Sequence, residues 1–353
     1  MIRGQRRGVL AACSRLGLYL ASLPYHLVVR GRNLGHDRGW LTSYGVAAPV
    51  ISVGNLTVGG TGKTPCVAFV ANHYRQRDYR VCILSRGYGA QGETSDEARV
   101  LEEELNDVPH LQGPDRVQLA RVALEELESE ILVLDDGFQH RRLNRDLDLV
   151  LIDATDPWGQ GYLLPRGLLR EPRSSLRRAH LAILTRCDQV APPQLEQVRQ
   201  QVRRLAPQLP LAETRHRPTQ WSNSAGETLA LDDLSSRPAA AFCGIGNPQA
   251  FRRTLDDLGV EVRAFRTYPD HHRYARADVL ELEDWLSALP GDVVVLTTQK
   301  DLVKLRITHL GDRPLWALRI QLHFQVGQEL LEQHLDALLP GDSAEASATP
   351  GEP

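Results

Sequence analysis

Lys63 and Thr64 close the run Val53-Gly54-Asn55-Leu56-Thr57-Val58-Gly59-Gly60-Thr61-Gly62-Lys63-Thr64, and this combination of residue types is suited to holding phosphate. Gly59, Gly60 and Gly62 let successive backbone N–H groups, including that of Thr61, converge on phosphate oxygens. Lys63 supplies a point charge for the β- and γ-phosphates, and the Thr64 hydroxyl is a hard ligand for Mg²⁺. An apolar stretch over residues 46–53 precedes the run and a helix-compatible stretch over 65–74 follows it, opened by Pro65. The context is therefore strand, glycine loop, helix, which a P-loop requires. Thr57 stands where the first glycine of that motif belongs, so Gly59 and Gly60 must supply the tight turn. Further along, Ile131-Leu132-Val133-Leu134 reads as a buried strand that delivers Asp135 and Asp136 at its end. A strand ending in carboxylates is the Walker B arrangement, in which aspartate holds Mg²⁺ directly or through water. ATP and Mg²⁺ are the expected cofactors.

Other reactive residues are less specific. Asp96 follows Glu93-Thr94-Ser95 at the start of a helical stretch, and by spacing alone it is a helix cap or a first-turn acid. Asp270-His271-His272 places two imidazoles beside a carboxylate, a pattern that on its own most often marks a surface pair. Ser85-Arg86-Gly87-Tyr88-Gly89 ends a short β-type run, and a long Gly/Pro-punctuated loop over residues 159–172 carries Arg170 and Glu171. Long loops at strand ends are usually functional. Glu171 is a further candidate carboxylate for the metal. Gly244-Ile245-Gly246 is only a fragment of a dinucleotide fingerprint.

The elements that must position these groups alternate strand and helix, which indicates an α/β fold: a P-loop NTPase-type parallel sheet with helices on both faces, plus a second, smaller α/β unit and an N-terminal amphipathic helix. The expected divisions are residues 1–35 for that helix, 36–205 for the kinase-like core, 206–237 for a linker or β-ribbon, 238–339 for the second unit, and 340–353 for a disordered tail. A chain of 353 residues supports two cores, and 42% apolar with 24% charged residues is the balance of a folded soluble protein. A net charge of −3 excludes a globally basic nucleic-acid binder. Five scattered cysteines form no C-x-x-C pair, which suits a reducing compartment. Among 41 basic residues the only lysines are Lys63, Lys300 and Lys304.

The first 32 residues carry arginines and no acidic residue. Arg15 and Pro24 interrupt the apolar pattern, so no stretch reaches the ~20 residues that span a bilayer. An Arg-rich interfacial helix is the expectation, against a helix that simply packs on its domain. Cys13 after Leu10-Ala11-Ala12 and the Arg6-Arg7 pair mimic processing signals, but the interval between Arg7 and Cys13 is too short for a signal h-region.

These blocks, in this order, resemble the tetraacyldisaccharide 4′-kinase family, the lipid A 4′-kinases of Gram-negative envelope synthesis, from about Tyr19 to Leu335. The most specific are the loop from Val53 to Pro65, Ser85 to Gly89, Asp135-Asp136-Gly137-Phe138-Gln139-His140, Leu168-Leu169-Arg170-Glu171-Pro172, Gly244-Ile245-Gly246-Asn247-Pro248 and Asp270-His271-His272. The resemblance implies a kinase that moves the ATP γ-phosphoryl to the 4′-hydroxyl of an acylated glucosamine disaccharide 1-phosphate, at the cytoplasmic face of the inner membrane as a peripheral or monotopic protein. It implies Asp96 and His271 as a dyad handling the acceptor proton. A carboxylate-oriented imidazole suits that task. The distance of His271 from Lys63 along the sequence leads to the expectation of an active site in the cleft between the two α/β units. The rival reading is a membrane-associated ATPase switch of the MinD/ParA kind, whose signature lysine before the paired glycines is replaced here by Val58. A metallochaperone GTPase would need a Cys/His cluster and a guanine-reading Asn-Lys-x-Asp, and neither is evident.

Overall fold

A computed structural model describes residues 8–87 and 95–339. The expected tail over 340–353 and the end of the Ser85–Gly89 block, Tyr88 and Gly89, lie outside the described residues. The described chain forms two compact units.

The first unit contains residues 1–92, 105–215 and 323–353. Helix α1 (Val9–Asp37) is followed by β1 (Val50–Asn55), α2 (Lys63–Arg75) and β2 (Val81–Ser85). After α3 (Asp96–Glu104), which belongs to the other unit, come β3 (His110–Gln112), α4 (Arg116–Glu125), β4 (Ile131–Asp135) and β5 (Leu147–Asp153). Next are β6 (Leu181–Thr185), α5 (Pro192–Leu205) and β7 (Leu211–Ser222). Their order in the sheet is β7-β6-β5-β1-β4-β2-β3, and every pairing is parallel. β1, β2, β4 and β6 are buried along their whole length, which is why they read as continuous Val/Ile/Leu runs rather than alternating ones. Gly54 on β1 is needed for close packing, since a Cβ there would stand 2.5 Å from Phe138 Cβ.

The second unit contains residues 93–104 and 216–322. It continues through β8 (Thr228–Leu229), β9 (Pro238–Cys243), α6 (Pro248–Asp257), β10 (Glu261–Thr267), α7 (Arg276–Ser287), β11 (Val294–Thr298) and α8 (Gln299–Leu305). The short β12 (His309–Leu310) and the long β13 (Arg313–Val326) complete it. β10, β9, β11 and β13 are neighbours in that order and parallel. After residue 206, the end of β7 pairs antiparallel with β8 through Trp221 and Ser222, and Trp221 is fully buried.

Two boundaries differ from the sequence expectation. The helix bearing Asp96 belongs to the second unit, because α3 packs on α8. Residues 323–339 return to the first unit, where α9 (Gln328–Asp336) buries Leu331 and Leu335. There Tyr74 donates a hydrogen bond to the Leu335 carbonyl at 2.8 Å, and Phe324 packs on Phe69.

Candidate functional site

The glycine loop leaves β1 and enters α2 as expected. Gly59 (φ 125°) and Gly62 (φ 86°) adopt the backbone conformations that only glycine reaches without strain. Thr57 does not: it forms an antiparallel bridge with Leu169, so at this position the chain runs as a strand edge and needs no glycine. The loop is braced from outside. Val58 donates its N–H to the Leu168 carbonyl at 2.7 Å and Arg170 to that of Leu56 at 2.8 Å. Thr185 Oγ1 donates to the Thr61 carbonyl at 2.9 Å, and an Arg186 guanidinium nitrogen to that of Gly60 at 2.8 Å. Thr64 is buried in the first turn of α2.

Parallel pairing sets Val53 opposite Asp135, so β4 delivers its carboxylates beside the mouth of the loop. Asp136 adopts φ 57°, an uncommon left-handed conformation for a non-glycine residue. One carboxylate oxygen faces the Lys63 ammonium at 3.4 Å, and the other accepts a hydrogen bond from Arg170 at 2.7 Å. Burial would push this carboxyl up, but the charges of Lys63 and Arg170 hold it below the ordinary carboxylate value. Asn55 accepts from Lys63 at 3.4 Å, and Gln139 donates to the Asn55 carbonyl at 2.9 Å. Asn55, Gln139 and Arg170 were not among the expected site residues, although the blocks that contain them were. Thr64, Asp135 and Asp136 carry hard oxygen donors, the kind that could serve Mg²⁺ with several waters retained.

Glu171 departs from its expected metal role. Its side chain is fully buried, with Arg178 bound to both carboxylate oxygens at 2.6 and 3.0 Å, Arg32 at 3.2 Å and Asn33 at 2.9 Å. Arg178 also lies over the Phe138 ring, 3.7 Å from its centroid. The carboxylate therefore ties α1 to the loop at residues 168–172, and Tyr25 adds a 2.9 Å hydrogen bond to the Arg170 carbonyl. A negative charge this deep is compatible with folding only because it is paired.

α1 thus packs on its unit through Tyr25, Val29, Arg32 and Asn33, yet Leu16, Leu20, Leu23 and Leu27 form an exposed stripe at helical spacing. No described helix is long and apolar enough to cross a membrane.

In the second unit, Asp96 and His271 meet. His271 Nδ1 stands 3.2 Å from Asp96 Oδ2. The cap of α3 is Ser95, whose hydroxyl accepts the Ala98 N–H at 3.1 Å, so the Asp96 carboxylate is left for the imidazole. His271, like Asp136, has a left-handed backbone (φ 58°). The hydrogen bond with Asp96 raises the His271 pKa above its ordinary 6.5 against the opposing effect of burial, and Glu97 and Asp270 add to the rise. For Asp96, burial acts upward and is outweighed by His271 and Lys304, which leave it lowered. His272 has a packing role: it stacks on Tyr268 with centroids 4.6 Å apart and faces Asp278 at 3.3 Å.

Residues 14–340 match the family described as tetraacyldisaccharide-1-P 4′-kinase. The chain belongs to this family. A tetraacyldisaccharide 4′-kinase of Anaeromyxobacter sp. (strain K) is 42% identical over 357 residues, covering 95% of this chain and 93% of its own. That of Syntrophus aciditrophicus is 39% identical, covering 82% and 83% respectively. Among solved structures, the LpxK of Aquifex aeolicus in complex with ATP is 32% identical, with a TM-score of 0.73, covering 92% of this chain and 99% of that one.

Proposed function

We propose that this chain is the ATP-dependent kinase that phosphorylates the 4′-hydroxyl of tetraacyldisaccharide 1-phosphate in lipid A biosynthesis. The observation that carries this reading is the family match over residues 14–340 on a chain whose β1–loop–α2 segment is built as a phosphate cradle. The nucleotide is ATP. Its phosphates are served by the backbone from Gly59 to Gly62 and by Lys63. Thr64 with Asp135 and Asp136 would hold Mg²⁺, which when bound neutralises charge on the β- and γ-phosphates.

In the transfer step the acceptor oxygen forms a bond to the γ-phosphorus while the bond from that phosphorus to the β–γ bridging oxygen breaks, and ADP leaves. The hydroxyl proton passes to neutral His271, which Asp96 orients and whose imidazolium Asp96 stabilises. His271 then returns the proton to water. Phosphoryl transfer depends mainly on positioning and charge, so one well-placed imidazole suffices as the proton acceptor.

An acceptor with several acyl chains stays in a bilayer, and the exposed leucine stripe of α1, flanked by arginines, is suited to an anionic membrane surface. The role assigned to α1 is peripheral attachment at the inner-membrane surface. A nucleotide switch has no observation in its favour.

The test is transfer of labelled γ-phosphate from ATP to the disaccharide 1-phosphate in detergent micelles. ADP release that depends on the acceptor is expected. ATP hydrolysis unaffected by the acceptor, with no labelled lipid, would overturn the reading.

A further inference from the structure

A chain that otherwise uses arginine keeps lysine at three positions, and each of the three meets a carboxylate. Lys63 faces Asp136. Lys300 contacts Glu97 at 2.7 Å. Lys304, on the second turn of α8, reaches two carboxylates: Asp301 Oδ1 at 3.0 Å and Asp96 Oδ2 at 3.6 Å. Its side chain is only 6% exposed, and its ammonium lies 5.3 Å from the Tyr274 ring centroid.

Asp301 is fully buried and its other interactions are made within the fold. One oxygen accepts the Gly244 N–H at 3.0 Å and the Thr298 hydroxyl at 2.6 Å, and the other accepts the Tyr274 hydroxyl at 3.1 Å. The ammonium between Asp301 and Asp96 is thus anchored on one side by a rigid, hydrogen-bonded carboxylate. On its other side is the Asp96 oxygen that also meets His271 Nδ1.

We propose that Lys304 is a positioning residue for phosphoryl transfer: held by Asp301, it fixes the Asp96 carboxylate, ionised and aimed, against His271. The proposal rests on the reading of Asp96 and His271 as the acceptor-proton pair. Charge balance supports it. Two carboxylates and one ammonium leave one negative charge in this cluster, and a proton arriving on His271 neutralises it. Of the neighbouring groups, Glu97 stands 3.9 Å from His271 Nε2 and is paired with Lys300, Asp270 stands 4.0 Å from the same nitrogen and is half-exposed to water, and Asp278 faces His272 at 3.3 Å; Glu97 and Asp270 favour the same imidazolium that Asp96 does. Lysine fits the place better than arginine because a compact ammonium can face carboxylates arriving from α3 and α8 at once, whereas a guanidinium fork favours partners in its own plane.

The experiment compares full-length wild type with Lys304→Met, Lys304→Arg and His271→Asn. It measures kcat, KM for ATP, the acid limb of the kcat/KM profile, and the His271 titration by NMR with labelled histidine. Removing the cation raises the proton affinity of the coupled Asp96–His271 pair. Lys304→Met should therefore move the acid limb and the His271 titration to higher pH by roughly half a unit or more. It should also lower kcat about tenfold through misplacement of Asp96, with KM for ATP unchanged. Lys304→Arg should restore the wild-type limb. If Lys304→Met fails to fold, the double variant Lys304→Met/Asp301→Asn, which leaves no unpaired buried carboxylate, carries the same measurements. Loss of kcat in His271→Asn together with an unmoved limb and wild-type kcat in Lys304→Met would overturn the role of Lys304 alone. Full activity of His271→Asn would overturn the dyad and this proposal with it.

Discussion

Replacing Glu171 by glutamine should destabilise the first unit substantially. The change keeps the shape of the side chain and removes its charge. Arg178, largely buried, then loses the partner that justified its burial, and breaking a buried pair from one side costs about 3–5 kcal/mol. Arg32 is 41% exposed, so water replaces most of its lost interaction, adding at most ~1 kcal/mol. Urea unfolding should show a lower midpoint, and hydrogen exchange should rise first in α1 and around residues 168–178. Adding Arg178→Met should recover much of the loss, since the penalty comes from an uncompensated charge and not from a missing contact. The pH dependence has a definite sign. Burial pushes the Glu171 carboxyl up, but the charge and hydrogen bonds of Arg178, with the hydrogen bond of Asn33, hold it below the ordinary 4.5. Its stabilising contribution is therefore complete above pH 4.5 and is lost as pH falls through the lower folded value, so the gap between wild type and Glu171→Gln should close in acid. The Mg²⁺ titration of folded Glu171→Gln should match that of wild type. A variant as stable as wild type, or one whose only defect is weaker Mg²⁺ dependence, would refute the anchoring role and restore the metal reading.

Asp136→Ala should abolish metal-dependent transfer, and a Mg²⁺ titration like that of wild type would remove the Walker B assignment. Because the His271 pKa is raised, the acid limb of kcat/KM should lie above pH 6.5, with activity gained as pH rises through it; Asp96→Asn should shift the limb downward, checked by the same profile. Single Asp96→Asn and His271→Asn variants should lose roughly 10²–10⁴ in rate, and the double variant should be little worse than the worse single, because residues acting as one unit are not additive. Leu20→Glu with Leu27→Glu, both on the exposed stripe, should weaken sedimentation with anionic vesicles while leaving ATP binding intact; unchanged sedimentation would leave α1 as a packing element.

The glycine loop and the Asp135-Asp136 pair were legible in the sequence because their geometry is local: a buried strand, a turn and a helix start, each with its own residue signature. The alternation of strand and helix in both units was legible for the same reason. Asp96 was not assignable to the second unit, since its partner His271 lies 175 positions away and nothing in the periodicity of α3 records which sheet it packs on. Glu171 was misread as a metal ligand because a carboxylate beside a glycine-rich loop looks alike whether it faces a cation in solvent or a largely buried arginine such as Arg178. The return of residues 323–339 to the first unit depends on the amphipathic face of α9 finding Tyr74 and His73 on α2, which is again a long-range choice. The scarcity of lysine was visible from the start, but the meaning of Lys304 needed the positions of Asp96 and Asp301.

The most direct measurement of the central claim is the product of one reaction, ATP with tetraacyldisaccharide 1-phosphate, analysed by mass and by proton–phosphorus correlation for wild type and Lys63→Ala side by side. The account predicts one added phosphate on the 4′-oxygen with wild type, and no product from a folded Lys63→Ala protein. A phosphate elsewhere on the disaccharide, or normal turnover by Lys63→Ala, would contradict it.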